Sequence, residues 1–183
     1  MKLALIIGHS SKSQGAKLYT GQTEWSYHQD MVNKYLYRRL PLVTDAFEIF
    51  WRRSDLSYRD AIADLADEVG IFGATFAIDL HVNAFDGKTT VLGHEFMYNH
   101  EESYNFGLRY SDALTALGIH RRRSVLAQEG IRGAYNLLSL PCPGILVEPC
   151  FGDTENEDSV EIVGKPWQYA EVLAQTLWEW QNG

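Results

Sequence analysis

Hydrophobic and polar positions along this chain fall into blocks. Leu3 to Ile7 is continuously apolar, Thr75 to Leu80 nearly so, and Gly144 to Val147 forms a third such run before Glu148. Short apolar runs without alternation predict strands buried on both faces, as in the middle of a parallel sheet. Ala46 to Trp51 predicts another short strand. Gly93 to Tyr98 alternates His94, Phe96 and Tyr98 against Glu95 and Met97, which also predicts a strand. Between these runs, apolar residues recur at helical spacing. Trp25, Met31, Val32, Tyr35, Leu36 and Leu40 form one such series, and Ile62, Leu65, Ala66 and Val69 a second. Tyr104, Leu108, Leu114 and Leu117 form a third. Trp167, Ala170, Leu173, Leu177 and Trp180 form the last and are expected to face inward.

Boundary residues sharpen these elements. Thr23 is a candidate N-cap with Glu24 in the first helical turn, where the helix dipole favours a carboxylate, and Pro41 stops that helix. Ser57 caps the next helix, which Gly70 is expected to end. Gly118 closes the helix over residues 101–117, and Pro166 opens the final one. Residues 10–22 are polar with two glycines and predict a loop. Asp86–Gly87 reads as a turn, Pro141 and Pro143 as a tight turn, and residues 153–158 as an acidic loop. Residues 119–133 show no usable period, and residues 135–140 predict a strand.

Strands alternating with helices predict an α/β fold: a single domain over residues 1–183, with a twisted, mostly parallel but mixed sheet flanked by helices on both faces. A chain of this length buries enough surface for one core without staples. No repeat, linker or low-complexity segment interrupts it. The net charge of −8 argues against nucleic acid or an anionic membrane as partner. The one basic run, Arg121–Arg123, is expected to be a solvated turn. Two cysteines, Cys142 and Cys150, make no disulfide framework and are expected to be reduced and buried. MKLALIIGHS has too short an apolar run for a signal peptide and reads as a first strand; no stretch has the length of a membrane span. The expectation is a chain made soluble and without its own secretion signal.

The candidate chemistry is positional. His9 follows the first strand, His81 follows the middle strand, Glu148 ends the last strand, and Glu24 opens the first helix. In a parallel sheet all four belong at the carboxyl edge, where open α/β sheets build their sites. Two imidazoles and a carboxylate form a His₂Glu set, one of the sets that hold catalytic zinc with a position left open. A further carboxylate, Glu148, is placed to serve as base and acid beside it. Taken singly, each residue also has a plainer reading: a turn histidine at His9, a dipole-matched acid at Glu24, a core histidine at His81, a paired acid at Glu148.

The order of short motifs adds a resemblance. GHS near the start, Glu24 at a helix start, FWRRSDLSYRDAIADLA, LHVNA after an apolar strand, GHEFMY and ILVEPCF follow one another. Over nearly its whole length the chain resembles the zinc-dependent N-acetylmuramoyl-L-alanine amidases, the catalytic domains of bacterial cell-wall amidases and phage endolysins. That resemblance implies one zinc ion held by His9, Glu24 and His81, with Glu148 as the catalytic acid/base. It implies that Asn83 lines the site, and it points to Arg132 as a residue meeting a peptide carboxylate; a turn residue at Asn83 and a solvated arginine at Arg132 are the plainer readings. The substrate implied is peptidoglycan, cleaved between N-acetylmuramic acid and L-alanine of the stem peptide. Other amides, or a catalytically inactive peptidoglycan-binding role, are the competing expectations. Action on the wall after release through a phage holin, or a cytoplasmic recycling role, would both suit a chain without a signal. Two departures stand out. Cys150 replaces the family's usual glycine, and serine and lysine follow GHS where that loop is usually glycine-rich. The remaining histidines, His28, His94, His100 and His120, are expected at the surface or on helix faces.

Overall fold

The computed structural model describes residues 1–87 and 90–183. Six strands form one sheet: β1 (Lys2–Ile7), β2 (Ala46–Trp51), β3 (Phe76–Leu80), β4 (His94–Tyr98), β5 (Arg121–Leu126) and β6 (Gly144–Glu148). Their order is β2-β1-β3-β6-β4-β5. The first four in that order run parallel; β4 is antiparallel to β6, and β5 is parallel to β4. The sheet is therefore mixed and mostly parallel, as the apolar runs predict. Register places Ile7 beside Leu80 and Leu80 beside Val147, so the carboxyl ends of β1, β3 and β6 finish level.

Among the described residues, six α-helices accompany the sheet: α1 (Glu24–Met31), α2 (Tyr58–Phe72), α3 (Glu101–Ala116), α4 (Ala134–Leu138), α5 (Glu157–Ile162) and α6 (Pro166–Asn182). Odd-numbered residues of β1 and even-numbered residues of β3 turn to one face, because strand side chains alternate. There Leu3, Leu5, Phe76 and Ile78 meet Met31 of α1, Phe106 and Tyr110 of α3, and Tyr169 and Leu173 of α6. On the other face Ala4, Ile6 and Ala77 meet Leu65 and Val69 of α2, and Leu146 meets Ala134 and Leu137 of α4. Helices thus cover both faces.

The first helix starts as its sequence predicts. Thr23 accepts from Ser26 N, and Ser26 Oγ accepts from Thr23 N in return. The helical run then continues as a π-helical turn, Val32–Leu36, and a short 3₁₀ turn at Leu40–Leu42 that contains Pro41. Helix α2 passes through Gly70. Gly73, at φ 71°, is the residue that takes the left-handed conformation and ends it.

Other expectations are corrected. Residues 134–138 are helical, not a strand: Ala134 and Leu137 lie three apart and bury together against Leu146, a helical spacing that the short run disguised. Arg121–Arg123 belongs to β5. Its strand is almost wholly exposed, so it lacks the alternation that marks a half-buried strand. The acidic loop is shorter than expected, since Asn156 caps α5 by accepting from Ser159 N. Trp167 is 49% exposed rather than inward, whereas Trp180 stacks on Phe76 at 4.5 Å between ring centroids. Asp86 and Gly87 both have positive φ and form the expected turn. Both cysteines are free; Cys150 is buried and Cys142 partly so.

Of the unassigned histidines, His100 and His120 are exposed as expected, whereas His28 and His94 are interior. His94 is buried with Nε2 2.6 Å from Ser111 Oγ, His100 caps α3, and His120 pairs with Asp158. His28 lies on a helix face, as expected, but it is fully buried and neither ring nitrogen has a hydrogen-bond partner among the described residues. Burial lowers its pKa from 6.5 to about 3. Below pH 6.5 the unfolded chain therefore takes up a proton that the folded chain refuses, and stability falls with pH until about 3. His28→Leu removes this linkage. Urea unfolding at about pH 7.5 and about pH 4.5 is expected to show a stability loss on acidification that is smaller in the variant by on the order of 2 kcal/mol.

Candidate metal centre

Three loops at the carboxyl edge of the sheet deliver the central side chains. His9 lies just beyond β1 in a left-handed conformation, φ 73°, unusual for a non-glycine residue and frequent at functional sites. Glu24 is the first residue of α1. The preceding loop is tied to it by Glu24 N donating to Ala16 O at 2.9 Å and Trp25 N to Gln14 O at 3.1 Å. His81 follows β3 directly, its N–H donating to Val147 O at 3.0 Å.

These residues converge. Glu24 Oε2 is 3.0 Å from His9 Nε2, and Glu24 Oε1 is 3.0 Å from His81 Nδ1. Val82 N donates to Oε1 at 3.0 Å and Ala16 N to Oε2 at 3.2 Å. Glu24 is only 3% exposed, so its charge is sustained by these partners rather than by water. One ligand atom from each of His9, Glu24 and His81 lies within 4.8 Å of the others. The donor set, two imidazole nitrogens and a carboxylate, suits zinc and related transition metals. The surrounding backbone leaves room for it. A Cβ at Gly15 would sit 2.5 Å from Glu24 Oε2 and 2.7 Å from His9 Nε2, and one at Gly8 would sit 2.5 Å from His81 Cε1.

The electrostatics follow from burial and pairing. Burial opposes the charge on Glu24, but hydrogen bonds from His81 and His9 outweigh it and hold the carboxyl well below its usual range. Burial likewise opposes a charged His81, and the flanking Asp79 and Glu24 carboxylates win, raising its pKa well above normal. A cation at the cluster would supply the positive charge that protons otherwise provide, so metal binding there releases protons.

Glu148, the last residue of β6, shares this edge. Burial is the main reason that its pKa is raised, with Glu24 adding to the rise and His81, Arg123 and Arg132 working against it. Its cross-strand neighbour is Glu95 of β4. Glu95 accepts from Arg123 Nε at 3.0 Å and also pairs with Arg122, the two arginines brought to one carboxylate by an irregularity in the β4–β5 register. Asn83 follows two residues after His81: its side chain accepts from Ala84 N at 3.0 Å, and its backbone pairs with Cys150 and Gly152 in the loop after Glu148. Cys150, in place of a glycine, is fully buried and leaves that pairing intact. Arg132 is exposed on the loop before α4.

Several residues escape sequence reasoning. Arg52, after β2, brings Nη2 to 3.4 Å from His9 Nδ1 and lies over the Tyr58 ring. Asp79 places Oδ1 3.2 Å from His81 Nε2 and accepts from Asn136 Nδ2 at 2.9 Å. A lone acid in an otherwise apolar strand was the available signal for Asp79. Asn136 carries none, because its short segment shows no helical period.

A family model described as N-acetylmuramoyl-L-alanine amidase matches residues 3–174. No curated protein matches by sequence. Among solved structures, the N-acetylmuramoyl-L-alanine amidase AmiC2 of Nostoc punctiforme is similar at TM-score 0.74 and 19% identity, covering 99% of this chain and 98% of its own. The catalytic domain of CwlV, an N-acetylmuramoyl-L-alanine amidase from Bacillus (Paenibacillus) polymyxa var. colistinus, is similar at TM-score 0.73 and 18% identity, with 100% and 99% covered. The catalytic domain of the CD27L endolysin targeting Clostridia difficile aligns at TM-score 0.72 and 18% identity, covering 98% and 97%. These likenesses establish the fold over the full length of the chain.

Gly15 offers a test of the cradle. Gly15→Ala combines a positive φ with contact on two candidate ligands, whereas Gly21→Ala has a positive φ with nothing near its Cβ. Both should lose about 1 kcal/mol of stability from backbone strain. Only Gly15→Ala should weaken zinc binding, by about tenfold or more, in competition with a chromophoric chelator.

Proposed function

Because the chain belongs to the N-acetylmuramoyl-L-alanine amidase family, we propose that it is a zinc-dependent peptidoglycan amidase whose catalytic domain spans residues 1–183. It hydrolyses the amide between the lactyl group of N-acetylmuramic acid and L-alanine of the stem peptide. The observation that carries this reading is the convergence of His9, Glu24 and His81 within 4.8 Å, at the sheet edge where β6 ends in Glu148.

His9, Glu24 and His81 hold the metal. When bound, zinc polarises the scissile carbonyl and acidifies water. Glu148 takes the proton from the attacking water and returns it to the leaving alanine nitrogen. Burial raises its pKa, which makes it a stronger base toward the water proton than an exposed carboxylate would be. Arg122 and Arg123 pair with Glu95, and Glu148 has no ion pair with either among the described residues. Asn83 lines the opening and Arg132 meets a carboxylate of the stem peptide. The acidic chain acts on the cell wall, with neither nucleic acid nor membrane insertion involved. No helix among the described residues is long and apolar enough to cross a membrane.

The deciding experiment is mass spectrometry of purified peptidoglycan digested with the zinc-loaded protein. Free L-alanine amino termini without new reducing sugars are expected; a released D-amino acid would identify a carboxypeptidase instead. His81→Ala should lose zinc and activity together. Glu148→Gln should retain zinc while its turnover falls about 10²- to 10⁴-fold. Near wild-type cleavage by Glu148→Gln would rule out the proton-transfer role.

A further inference from the structure

A carboxylate in the middle of a buried strand is costly unless the fold satisfies it. Asp79 stands between Ile78 and Leu80 on β3 and is 1% exposed. Its Oδ2 accepts from Asn136 Nδ2 at 2.9 Å, and Asn136 Oδ1 accepts from Tyr58 OH at 2.6 Å. The tyrosine therefore decides which end of the Asn136 amide faces Asp79. With Oδ2 engaged, Oδ1 remains, 3.2 Å from His81 Nε2. The approach is close but not aligned as a hydrogen bond, and neither atom has another hydrogen-bond partner among the described residues. The opposite ring nitrogen, Nδ1, is 3.0 Å from Glu24 inside the candidate metal cluster. The imidazole is thus held between two buried carboxylates, one inside the cluster and one outside it. Gly8 makes room on the outer side, where a Cβ would come within 2.7 Å of Nε2.

We propose that Asp79 is a positioning residue that retains the Nε2 proton of His81 and so presents Nδ1 to the metal, with Asn136 and Tyr58 aiming the Asp79 carboxylate. This rests on the reading of His9, Glu24 and His81 as metal ligands. A histidine bound to metal through one nitrogen donates its other N–H to an acceptor that fixes ring orientation and raises ligand basicity. Asp79 supplies that acceptor, and its charge strengthens the bond within a buried setting. Its position two residues before His81 puts both side chains on the same side of the extended chain.

The first measurement uses the wild-type chain, zinc-loaded and ¹⁵N-labelled at histidine. Long-range ¹H–¹⁵N correlation should show His81 protonated at Nε2 and metal-shifted at Nδ1. The reverse assignment overturns the proposal. Zinc affinity is then measured by chelator competition for Asp79→Ala, Asp79→Asn and Asn136→Ala, with circular dichroism and metal-free melting recorded in parallel. Asp79→Ala removes the acceptor, and a fall of about tenfold to a hundredfold is expected. Asp79→Asn keeps the shape but sets an amide against the Asn136 amide, so a fall of about tenfold is expected, with folding retained. Should Asp79→Ala not fold, Asp79→Asn and Asn136→Ala decide the matter. Wild-type affinity in any folded Asp79 variant overturns the positioning role while leaving the metal site standing. A wild-type protein that binds no zinc, matching His81→Ala, overturns the metal reading itself.

Discussion

Glu24 is the contact on which the site depends. A buried carboxylate with four partners, two imidazoles and two backbone N–H groups, joins the loop after β1, the start of α1 and the end of β3. Two partners, His9 and Ala16, come from the loop after β1 and two, His81 and Val82, from the end of β3, so the contact exists only when the sheet register and the 10–22 loop are both correct. A carboxylate out of water costs several kcal/mol unless it is paired and hydrogen-bonded. The same arrangement that satisfies Glu24 assembles a metal-binding donor set.

The sheet contributes two kinds of precision. In the parallel half, β1, β3 and β6 finish level, which puts His9, His81 and Glu148 along one edge. In the antiparallel half, β4 sets Glu95 opposite Glu148, and the irregular β4–β5 register turns two arginines onto Glu95. The result is an edge where one glutamate is neutralised by arginine and its neighbour is held by burial in a more weakly acidic state.

Much of this was legible in the chain. Buried parallel strands announce themselves as largely apolar runs, so β1, β3 and β6 are legible to within a residue or so at each end, as is the less buried edge strand β2. Thr23 revealed the helix that carries Glu24, because capping is a local interaction between neighbouring residues. The short helix α4 and the exposed strand β5 were illegible for opposite reasons. The first is too brief to show its period, and the second lies at an edge where nothing enforces alternation. His28 looked like an ordinary helix residue because the sequence cannot tell which helix face will be covered by α6 and the sheet.

The residue types at the strand ends and helix start, and hence the His₂Glu set with a second glutamate beside it, were determined by the sequence alone. Local rules of strand, cap and turn carry that information. Tertiary structure decided which atoms meet. It gave Nδ1 of His81 to Glu24 and Nε2 to Asp79, brought Asn136 and Tyr58 behind Asp79, and pressed Gly8 and Gly15 against the ligands. Those contacts join residues far apart in the chain, and they depend on ring orientation and on approaches of a few ångströms, which spacing along a sequence does not encode.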